Sequence, residues 1–64
     1  MARENLKATR KAAGMTQQQV AEKLGISEIG YRQIESGKRT GTIKTWDELE
    51  DLFNIHQRKL REIL

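Results

Sequence analysis

At 64 residues the chain makes at most one domain, one that buries only about 60% of the surface its unfolded form exposes, which leaves little room for both a core and a closed substrate cleft. There is no cysteine and a single histidine, His56, so neither a disulfide framework nor a thiolate metal site is available, and no metal or other cofactor is expected. The net charge of +3 is uneven: residues 1–44 carry nine Lys/Arg against four Asp/Glu (+5) and residues 45–64 carry three against five (−2), a polarity suited to a polyanion on one side.

The longest apolar runs are two or three residues, which excludes a membrane span, and the N-terminus lacks the apolar stretch of a signal peptide. A soluble, cytoplasmic protein is expected. In chain order, a first helix is predicted from Arg3 to Ala13, with Leu6, Thr9, Arg10 and Ala13 on one sector and Gly14 as its stop. Arg10 faces inward there and needs a partner, since a buried unpaired charge is very costly; Glu35 is the candidate.

Thr16 with Gln19 forms a capping box that starts a second helix, Thr16 to Leu24, with Met15 packing back on Val20. Val20, Ala21 and Leu24 share its inner face. Gly25 closes this helix, Ile26 turns into the core, and Ser27 caps a third helix that ends at Gly37. Tyr31 and Ile34 point inward on it, while Glu28, Ile29, Arg32, Gln33 and Ser36 gather on the outer face. Residues 17–36 therefore read as two short amphipathic helices bent at a glycine.

Lys38 to Thr42 is a loop, and a fourth helix runs from Gly41 or Thr42 to about Phe53 with Ile43, Trp46, Leu49, Leu52 and Phe53 as its apolar set. Asn54 is suited to an αL stop, and a last helix is predicted from His56 to Leu64. His56, with no second ligand at useful spacing, reads as a cap or surface residue. No nucleophile, base and oxyanion set can be assembled, so no catalytic residue is assigned.

The runs LKATRKAAGMTQQQVAEKLGIS and RQIESGKRTGTIKTWDELEDLFNI resemble the DNA-binding domain of the lambdoid phage repressor and Cro type, the XRE family of bacterial regulators, without gaps from about Leu6 to Ile55. The resemblance implies an all-α, compact five-helix bundle, lambda-repressor-like, with residues 1–64 as a single helix-turn-helix domain and the third helix in the major groove of double-stranded DNA. It implies that Gln17 bonds a phosphate, that Ser27, Glu28, Ile29, Arg32 and Gln33 face base edges, and that Lys38, Arg39, Thr40 and Lys44 track phosphates. The Arg10–Glu35 pair is also a feature of the family. Tyr31, Gly30, Gly41 and Glu50 depart from its pattern, and the Tyr31 hydroxyl in particular would need a partner in the core.

The residues themselves add detail to that outline. Gln33 suits adenine and Arg32 guanine, each in two places; Ile29 suits a thymine methyl and Glu28 a cytosine amino group. Gln18 joins Gln17 as a phosphate anchor, and Ser36 completes the outer face. The wide apolar face of the fourth helix and the end of the last suggest a homodimer, with Leu52, Ile55, Leu60 and Ile63 as interface candidates. The acidic cluster Asp47, Glu48, Glu50 and Asp51 is a candidate site for a protein partner. The expected function is sequence-specific DNA binding by a transcriptional regulator, a repressor acting on a short inverted repeat. An antitoxin or controller protein of the same fold, or an interaction module that does not read DNA, are the alternatives.

Overall fold

Side-chain caps fix where three of the helices begin. The Thr16 hydroxyl accepts from the Gln19 amide (3.1 Å) while the Gln19 side chain accepts from the Thr16 amide (2.8 Å), a complete capping box. Ser27 and Thr42 cap the next two helices by accepting from the amides of Gly30 and Thr45. A computed structural model describes residues 2–61, which form α1 (Glu4–Ala12), α2 (Gln17–Leu24), α3 (Glu28–Ser36), α4 (Ile43–Phe53) and α5 (Gln57–Arg61). Gly25 ends α2 at φ +71° and Asn54 ends α4 at φ +54°, the left-handed stops their residue types suggest.

The helices enclose one apolar cluster: Leu6, Val20, Ala21, Leu24, Tyr31, Ile34, Trp46, Leu49 and Leu60, with Met15, Ile26, Leu52, Phe53 and Ile55 packed on its edge. α2 lies against α3, and α5 packs on both α1 and α4. No helix among the described residues is long and apolar enough to cross a membrane.

Several expectations are corrected. Leu60, expected at a dimer surface, is fully buried and belongs to the core. Leu60 closes the core from α5, where that helix packs on both α1 and α4. Ile63, another interface candidate, lies outside the described residues. Ile43, on the first turn of α4, is 81% exposed, so the apolar set of that helix is wider than its buried face. Ala13 is exposed because α1 has already ended at Ala12.

Arg3, predicted to open the first helix, instead precedes it and is buried, with its backbone amide bonded to the Glu35 carbonyl (2.8 Å). The acidic flank of α4 is partly structural. Glu50 Oε1 accepts from the backbone and side-chain nitrogens of Gln57, and Asp47 accepts from the same side chain (2.9 Å), so these carboxylates tie α5 to α4. His56 acts as a cap, its Nδ1 accepting from the Arg58 amide (3.1 Å).

Candidate nucleic-acid interface

α3 stands on α2 with Tyr31, Ile34 and Glu35 turned into the bundle, a placement that follows from the roughly 100° step between successive residues. The opposite side is left outward: Ile29 is 68% exposed, Arg32 and Ser36 are exposed, and Glu28 and Gln33 are half-buried. Ser27 and Gln18 are exposed beside them. The Ser27 hydroxyl oxygen already serves the cap, and the Ser36 hydroxyl donates to the Gln33 carbonyl (3.1 Å). Gly30 is where Ser27 comes close. A Cβ there would meet the Ser27 Oγ at 3.1 Å, so the glycine accommodates the cap rather than a neighbouring helix.

A chain of polar contacts joins this surface to the interior. Arg10 donates from Nε to Glu35 Oε2 (2.8 Å) and from Nη2 to Oε1 (3.1 Å), a bidentate buried pair, and its Nη1 donates to the Met15 carbonyl. Burial opposes ionisation of Glu35, but the hydrogen bonds and charge of Arg10 outweigh it and hold the carboxyl below its usual range. The hydrogen bond from Arg10 to Glu35, working against burial, raises the guanidinium in turn. Gln17 Nε2 also donates to Glu35 (3.2 Å), its Oε1 accepts from Arg32 Nε (3.1 Å), and Arg32 Nη2 donates to Glu28 Oε2 (2.8 Å). Gln17 retains one amide hydrogen for a phosphate.

The Tyr31 hydroxyl does not find the partner expected for it. It is buried beside the Arg10–Glu35 pair with no atom in hydrogen-bond geometry. Burial, and then the Glu35 carboxylate, push the phenol well above its ordinary range.

Beyond α3, the loop carrying Lys38, Arg39 and Thr40 is exposed in its side chains but held through its backbone. The Arg39 amide donates to the Gln33 carbonyl, Arg3 Nη1 donates to the Arg39 carbonyl (3.0 Å), and Trp46 Nε1 donates to the Thr40 carbonyl (2.7 Å). Arg3 also donates to the carbonyls of Ile34 and Arg61. Gly41 then turns at φ +84° directly over Trp46, where a Cβ would meet Nε1 at 3.1 Å. Lys44 projects from the first turn of α4, its side chain 86% exposed and 4.0 Å from Glu48. Sequence reasoning placed the loop but not its supports, Arg3 and Trp46.

An all-α bundle of five helices, with the second and third meeting at a glycine turn and the third carrying a polar outer face, is the lambda-repressor-like helix-turn-helix architecture. The helix-turn-helix family matches residues 6–56, and the chain belongs to that family. It is 38% identical over 52 residues to YqaE, an uncharacterized HTH-type transcriptional regulator of Bacillus subtilis (strain 168), a match covering 81% of this chain and 45% of that protein. It is 36% identical over 52 residues to YonR, an SPbeta prophage-derived uncharacterized HTH-type transcriptional regulator of the same strain, covering 81% of this chain and 48% of that one. The chain thus spans just under half the length of these relatives. No solved structure matches it.

Proposed function

We propose that this chain, acting as one domain, is a sequence-specific reader of double-stranded DNA in a transcriptional regulator, a repressor that binds as a homodimer to a short inverted repeat. The observation that carries the reading is the exposed face of α3: an apolar side chain, Ile29, beside the guanidinium of Arg32, flanked by the cationic loop of Lys38 and Arg39. In this reading Ile29, Arg32 and Gln33 face base edges, while Gln17, Gln18, Lys38, Arg39, Thr40 and Lys44 meet phosphates. Ser27 and Ser36 border the same surface.

Leu52 at the end of α4 and Ile55 just beyond it, both half-buried, remain the candidates for a two-fold contact, and the exposed Ile43 offers a further apolar contact at the start of α4. A two-fold pair would set two copies of α3 about one turn of DNA apart. The names of the two relatives support the regulatory role. Selection from a random duplex pool tests all of this: enrichment of a two-fold symmetric site with two chains bound per duplex is expected. Enrichment of nothing would overturn the reading.

A further inference from the structure

We infer that Arg32 is set to read a guanine end-on, and that Glu28 and Gln17 are the positioning residues that aim it. This rests on α3 being the base-reading helix. A guanidinium has two usable edges: the lateral one, Nε with Nη2, and the terminal one, Nη1 with Nη2. In the free protein the lateral edge is occupied at both atoms, Nε by Gln17 Oε1 at 3.1 Å and Nη2 by Glu28 Oε2 at 2.8 Å. Left over are both hydrogens of Nη1 and the second hydrogen of Nη2, the donors of the terminal edge, on a side chain that is 59% exposed. Two parallel donors with that spacing match the O6 and N7 acceptors that guanine alone presents together in the major groove.

The two acceptors differ from an ordinary exposed ion pair, which contributes little because long side chains must be ordered to form it. Here Gln17 is itself oriented, since its amide nitrogen bonds the buried Glu35 carboxylate at 3.2 Å. The line of contacts from Arg10 through Glu35 and Gln17 to Arg32 therefore carries the rigidity of the core to the tip of one surface side chain. Ordering lost before DNA arrives is not lost again on binding. This also accounts for an acidic residue on a DNA-facing helix. The carboxylate of Glu28 is neutralised by Arg32 and lies on the first turn of α3, where the helix dipole favours it.

The test is selection from a random duplex pool with the wild type, Arg32→Ala and Glu28→Gln, with thermal unfolding of each protein alongside. The wild type should enrich a guanine at one position of each half-site. Arg32→Ala should abolish that preference, and Glu28→Gln should weaken it at the same position by roughly fivefold or more, with Tm lowered by no more than about 5 °C. If Glu28→Gln instead alters preference at a different, cytosine-bearing position, Glu28 reads a base itself and the inference fails. If it lowers affinity for every duplex equally, its role is merely structural and the inference fails equally. If the wild type enriches nothing, base reading by α3 is lost, and this inference with it.

Discussion

The guanidinium of Arg3 lies over the Trp46 ring, 5.2 Å from its centroid, and the two side chains donate to consecutive carbonyls of the loop that follows α3, Arg3 to Arg39 and Trp46 to Thr40. The attraction of a cation for the ring face and the shared loop make one unit of them. Through it Arg3, the end of α3 and the cationic loop are fixed together.

Replacing Arg3 should therefore be costly although it stands outside every helix. Arg3→Met keeps most of the buried stem but removes donors to three carbonyls, at a cost of roughly 3 kcal/mol, a fall in Tm on the order of 15 °C for a domain of this size. Arg3→Lys, which can serve fewer of these acceptors, should fall between. Thermal unfolding by circular dichroism measures both, and an Arg3→Met protein melting with the wild type would refute the assignment.

The Arg10–Glu35 pair ties stability to acid. Because the folded carboxyl titrates below its usual 4.5, its contribution is complete above that pH and is lost as the pH falls through the lower folded value. Glu35→Gln should cost about 3 kcal/mol at pH 7, since it leaves the guanidinium buried without its counter-charge. It should also flatten the decline in urea midpoint below pH 4.5. An unchanged acid limb in the variant would show that other carboxylates cause it.

Tyr31 offers the opposite case. Its buried hydroxyl has no hydrogen-bond partner, so Tyr31→Phe removes a desolvated polar group and keeps the ring. Stability should be unchanged or higher, by up to about 1 kcal/mol. A clear loss in urea melts would mean that the hydroxyl is bonded after all.

Which of these features could be seen in the sequence follows from the range of the interactions. Caps act over three residues, so Thr16 with Gln19, Ser27 and Asn54 marked the helix ends directly. Arg10 announced its need of a partner by standing on an apolar sector, and Glu35 answered it. Arg3 gave no such signal, because its acceptors are backbone carbonyls of residues 34, 39 and 61, which no side-chain pattern marks. Leu60 was legible as apolar but not as interior rather than interface, because which neighbours cover a helix face depends on how α5 packs on α1 and α4. On the interface, the outer face of α3 was legible from its period, but the Gln17–Arg32–Glu28 contacts depend on how two helices meet.

Phosphate and base contacts should separate by salt and sequence. Arg39→Ala should weaken binding to every duplex and reduce the slope of log affinity against log salt by about 0.9. Gln33→Ala should weaken binding to the selected site while leaving random duplex nearly unaffected. Titrations at several salt concentrations on both duplexes decide the matter, and equal losses for Gln33→Ala on the two would remove it from base reading.

Methylation of guanine N7 tests the central claim, that α3 reads DNA through the major groove, most directly, because that atom is exposed there and not in the minor groove. A duplex selected by the wild type and methylated at N7 within its half-sites should no longer bind, while methylation outside them should have no effect. Undiminished binding to the methylated half-sites would place α3 elsewhere on the duplex and contradict the account.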